Sequence, residues 1–157
     1  MNMFGIKHIF VSLSILALSI SSDAQSDTGH FNTSSKGVGA DGYDLVSYFT
    51  QAEAVEGSKQ FIANYEGIVY RFTSEGNAKA FLDDPKKYLP EYGGWCAYAM
   101  GATGDKVEVD PDTFKIVDGK LYLFYNKYFN NTIKPWNEDE ASLKRQADTN
   151  WSKIIAN

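Results

Sequence analysis

Two dipeptides constrain this chain most: Glu66-Gly67 and Asp118-Gly119, each set between apolar runs. A two-residue turn in which both residues take positive φ joins neighbouring antiparallel strands, and Asp-Gly is favoured there. Before the first turn, Phe61, Ala63 and Tyr65 alternate with Ile62 and Asn64; after it, Tyr70 and Phe72 share one face of Ile68–Phe72. Phe114 and Ile116 lead into the second turn, and Leu121, Leu123 and Tyr125 leave it. Alternation of this kind marks strands that bury one face. Two hairpins are therefore expected, each needing a cover for its apolar side.

Helices supply the cover. Ser74 is placed to cap a helix with Glu75 in its first turn, where the dipole favours a negative charge. Ala78, Phe81 and Leu82 then fall at helical spacing, and Asp83-Asp84-Pro85 ends the run because proline restricts the residue before it. A short second helix is expected at Tyr88 and Leu89. Gly93-Gly94 opens a further helical segment, Trp95–Met100, followed by loop from Gly101 to Asp112. Asn137 with Glu140 three residues on is a helix-start signature. Leu143, Ala147, Trp151 and Ile154 follow as an apolar stripe that should pack on the sheet. Leu45, Val46, Tyr48 and Phe49 read as a short helix or an extended apolar stretch. The fold class is α+β: two β-hairpins, several short helices and a C-terminal amphipathic helix.

The amino-terminal segment reads differently. Lys7 and His8 precede the apolar run Ile9–Ile20, and Ser22-Asp23-Ala24 offers small residues at a cleavage position. The run is shorter than the roughly 20 residues a membrane-spanning helix needs. Residues 1–24 are thus expected to be a signal peptide cut near Ala24, with the mature chain exported to a periplasm or secreted. No later stretch could span a bilayer. Residues 25–40 are polar, with Phe31 isolated among them, and are expected to form a flexible leader ahead of a domain over 41–155. The formal net charge is −5. A mildly acidic chain without a Lys/Arg block is a poor partner for nucleic acid or anionic membrane surfaces.

Several of these segments resemble the YHS domain: Tyr65-Glu66-Gly67, Tyr70-Arg71-Phe72-Thr73-Ser74 and Phe81-Leu82-Asp83-Asp84-Pro85-Lys86-Lys87-Tyr88. The wider pattern is similar to exported YHS-domain proteins, through Gly42-Tyr43-Asp44, Tyr92-Gly93-Gly94-Trp95-Cys96-Ala97 and Val117-Asp118-Gly119-Lys120-Leu121-Tyr122. The resemblance implies a small hairpin-plus-helix module of the kind attached to copper- and heavy-metal-handling proteins. Its metal-binding members carry one cysteine before the hairpin and two at the strand-to-helix step. Here Thr73 and Asn77 stand at the latter two positions, and Tyr43–Phe49 contains no cysteine. Threonine and asparagine are poor ligands for soft ions, so the thiolate site of those members does not carry over.

Cys96 is the single cysteine. It is open to four readings: a buried small residue, a reactive thiol, a metal ligand or an intermolecular bridge. In the first turn of a helix it would face unsatisfied N–H groups, which favours thiolate. Met100, four residues on, would share its face. Thiolate plus thioether suits Cu(I), so Cys96 and Met100 are the candidate ligands for a soft metal ion such as copper. Asp105, Glu108, Asp110 and Asp112 cluster without the spacing of a calcium loop, and Asp41 with Asp44 suits turn capping better than acid–base work. Beyond the signal segment the one histidine is His30, so no nucleophile–base pair is expected and no enzymatic activity. The expectation is an exported binding module accessory to soft-metal handling. The alternatives are a thiol redox or stress protein acting through Cys96, and a domain using an aromatic groove for a protein partner or small ligand. The oligomeric state is open.

Overall fold

A computed structural model describes residues 28–156. The signal-peptide reading and residues 25–27 of the expected leader lie outside them. Both hairpins form where the turn dipeptides require. β1 (Ser58–Tyr65) pairs antiparallel with β2 (Ile68–Phe72), and β3 (Asp110–Val117) with β4 (Lys120–Phe124). Glu66 and Gly67 take φ of 50° and 78°, and Asp118 and Gly119 take 53° and 73°. Each first strand carries a register shift, between Ser58 and Ile62 in β1 and between Asp110 and Phe114 in β3. A third hairpin, β5 (Asn126–Lys127) with β6 (Asn130–Asn131), has no counterpart in the sequence expectations.

Among the described residues six α-helices fill the intervals. α1 (Ser47–Thr50) precedes the first hairpin, and α2 (Glu75–Asp83) follows it with Ser74 as N-cap, its hydroxyl accepting from the Asn77 N–H at 3.1 Å. α3 (Pro85–Tyr88) begins on proline, whose missing N–H costs nothing at a helix start. Ala78 and Phe81 face the core, but Leu82 is half exposed. It lies about 100° further round the helix than Phe81, beyond the buried stripe.

α4 (Ala97–Ala102), α5 (Ile133–Glu138) and α6 (Glu140–Ile155) complete the chain. The expected start of α6 shifts: its N-cap is Asp139, and Asn137 lies inside α5. The helix packs on α4 and, through Ala147, joins the cluster that holds Tyr122 and Phe124 of β4; at Gly101 the two helices come close. A Cβ built there would stand 2.6 Å from the Leu143 carbonyl oxygen, so only glycine fits.

Two apolar clusters result. Leu45, Tyr48, Phe72, Phe81, Cys96 and Leu123 belong to the larger. The smaller gathers Tyr92, Met100, Tyr122, Phe124, Trp136 and Ala147, with Leu143, Trp151 and Ile154 packed against it.

Residues 28–40 of the expected leader are laid against the domain. Val38 bridges Val69 of β2 in parallel and is buried. The Asn32 N–H donates to the Gly93 carbonyl at 2.8 Å, and the Trp95 indole N–H donates to the His30 carbonyl at 2.7 Å. Composition hid this because the segment docks mainly through its backbone, which any polar sequence can supply.

Candidate functional site

At the strand-to-helix step, Asp44 has no exposed surface. Its Oδ1 accepts from the Val46 N–H at 2.9 Å and the Ser47 N–H at 3.3 Å. Oδ2 accepts from the Thr73 N–H at 2.8 Å, the Thr73 hydroxyl at 2.7 Å and the Asn77 amide at 2.7 Å. Burial alone would raise the carboxyl pKa, but the donors from Asn77, Thr73 and Val46 outweigh it and hold the group below its ordinary value. Asp41 is not its acid–base partner, since that residue sits exposed in the preceding turn.

Thr73 and Asn77 are thus committed to a carboxylate at the positions where the resemblance places cysteines. A metal ion does not fit here. Both oxygens of Asp44 point at donors, and the donors present their positive ends to the space a cation would need.

Cys96 and Met100 both belong to α4, one at its N-cap and the other inside it. The Met100 N–H donates to the Cys96 carbonyl at 3.0 Å, so the two residues stand one helical turn apart. Both side chains are fully buried, and they belong to different clusters. The Cys96 sulfur accepts from the Tyr125 N–H at 3.3 Å and lies 3.4 Å from the Thr132 hydroxyl. That hydroxyl spends its one proton on the Tyr125 carbonyl at 2.9 Å. Sulfur, hydroxyl and the Tyr125 backbone thus close a ring of polar contacts around Cys96.

The acidic loop does not converge. Asp105 accepts from the Thr103 hydroxyl, and Asp110 accepts from the Asp112 N–H and the Thr113 hydroxyl. Among the described residues no group of three or more His, Cys, Asp or Glu is placed to hold a metal ion.

The described residues bound several open concavities, the roomiest of about 560 Å³ beside Ile62, Ala78 and Leu82. Phe31 from the docked leader, Leu89 and Pro90 after α3, Tyr92, and Trp151 and Ile155 from α6 surround an open groove of about 410 Å³. Lys86 and Glu91 stand at its polar margin. Phe31 meets Trp151 edge to face, with ring centroids 6.4 Å apart. The wall at Tyr92-Gly93 is left-handed, with φ of 56° and 63°. A Cβ on Gly93 would lie 2.7 Å from the Trp151 ring. Tyr92, a costly residue at positive φ, is held by burial and by donating its hydroxyl to Asp148 at 2.9 Å. Burial and that carboxylate both push its phenol pKa above the ordinary value. Of these lining residues the sequence pointed to Tyr92; Trp151 was expected only on the apolar stripe of the last helix, and Phe31 and Ile155 were not expected to line a groove.

The fold thus defines a small α+β domain of hairpins covered by short helices. Residues 46–92 match the family model of the YHS domain. No curated protein and no solved structure matches the chain. The matched stretch runs from α1 to Tyr92. It therefore includes Thr73 and Asn77 but not Cys96 or Met100, and it contributes one wall of the groove.

Proposed function

We propose that the protein is a non-catalytic binding module whose working surface is the groove where the YHS stretch meets the leader and α6. The supporting observation is the groove itself: an apolar floor built from three separate chain segments, with a strained Tyr92-Gly93 wall. Its volume lies within the roughly 300–1,000 Å³ common for small-ligand clefts. Strain at positive φ is retained where surrounding structure maintains it and tends to gather at ligand-contacting positions. The fitting ligand is a flat or branched apolar organic group that can lie against Trp151 and Phe31. Export, as expected from the amino-terminal segment, would place the module outside the cytoplasm. A soft-metal role would have to be built by a partner, because the Cys96 and Met100 sulfurs are enclosed and engaged in packing.

The test is titration with 8-anilino-1-naphthalenesulfonate, followed by dye emission and by quenching of tryptophan fluorescence. One dye per chain is expected. Ile155→Lys, on the exposed rim, should weaken binding at least about tenfold, the equivalent of 1.4 kcal/mol, while leaving the melting temperature unchanged. Equal dye binding by the variant and the parent chain would sink the groove as the binding surface.

A further inference from the structure

We infer that the Asp44 cluster is an anion-centred lock that ties the segment before the first hairpin to the β2–α2 step, so that the domain folds without a metal ion at this position. Three separated stretches meet there. Asp44 lies ahead of α1, Thr73 follows β2, and Asn77 lies in the first turn of α2. The contacting atoms of Asp44, Thr73 and Asn77 form a triangle with sides of 2.7, 2.7 and 3.2 Å. Three ligands converging this closely from three segments is also the arrangement by which a bound cation crosslinks a chain. The charge pattern here is inverted: a single buried anion sits at the centre and neutral donors surround it. Five N–H and O–H groups satisfy the carboxylate, which removes the desolvation cost an unpaired buried charge would carry. A cation entering this cluster would have to displace at least one donor and then face the others. Neither a hard nor a soft metal gains by the exchange.

The experiment is thermal unfolding of the full chain with and without metal and chelator. Ethylenediaminetetraacetate, bathocuproine disulfonate, added Zn²⁺ and added Cu(I) should each leave the melting temperature within about 1 °C. Asp44→Asn, which puts an amide donor among donors, should lower it by roughly 10 °C. If that variant fails to fold, the isosteric Thr73→Val carries the test. It removes the hydroxyl that donates to Asp44 and accepts from Asn77 and should cost about 5 °C, whereas Thr73→Ser should behave like the parent chain. A drop on chelation, a rise on adding either metal, or a Thr73→Val variant as stable as the parent would overturn the inference.

Discussion

Asp44 shows how much of a site one buried residue can decide. Its folded-state pKa lies below the ordinary carboxylate value of 3.8, through donors that outweigh burial. A depressed pKa means that the carboxylate stabilises the fold fully above the unfolded-state value, and that this contribution is lost as pH falls through the folded value. Asp44→Asn should therefore destabilise by about 2–4 kcal/mol at neutral pH. Urea unfolding across pH should show a constant gap between parent and variant from pH 7 to about 5 that narrows below 4. A gap unchanged down to pH 2 would mean that the carboxylate charge is not what the donors hold. The sequence did indicate that Thr73 and Asn77 could not serve a soft metal. It could not indicate that both would turn to Asp44, because that contact spans 29 and 33 residues. Cys96 was illegible for the same reason. Its environment comes from Val107, Tyr125 and Thr132, none of which is a neighbour in sequence.

At the scale of elements, legibility followed local chemistry. Glu66-Gly67 and Asp118-Gly119 announced their hairpins because they satisfy the turn they occupy. The third hairpin breaks the rule. Its two turn residues, Tyr128 and Phe129, take φ of 52° and 64°, where Asn-Gly would be at ease. Their side chains are 89% and 111% exposed, so no packing offsets the backbone cost. No turn signal was present, hence no expectation of β5 and β6. Replacing Tyr128-Phe129 with Asn-Gly should stabilise the chain by about 1 kcal/mol, by relieving two left-handed bulky residues. Chemical denaturation at unchanged m-value checks this. A loss of stability would show that the aromatic pair makes contacts in solution that offset its strain.

On the scale of the whole molecule, the decisive element is the one composition hid. The leader closes one side of the fold. Gly37 and Gly39 exchange backbone hydrogen bonds with Val69, Val38 is buried, and Phe31 forms part of the groove. Lys36 projects from the middle of this segment, exposed, between Ser34 and the Val38–Val69 bridge. A protease must draw several residues into an extended conformation to cut there, so cleavage reports how often the leader lifts off. Trypsin should cut the native chain at Lys36 no faster than unfolding allows. Val38→Asp, which places a carboxylate against Val69, should cost about 2 kcal/mol and raise the Lys36 cleavage rate by at least about tenfold, as the opening equilibrium shifts by 1.4 kcal/mol or more. The same variant should lose affinity for the apolar dye, because Phe31 leaves the groove when the leader detaches. Rapid cutting of the parent chain at Lys36 would make the leader a loose strap. Slow cutting in both chains would mean that Val38 does not hold it. Faster cutting with undiminished dye binding would leave the leader docked through Val38 but remove Phe31 from the binding surface, narrowing the groove to Leu89, Tyr92, Trp151 and Ile155.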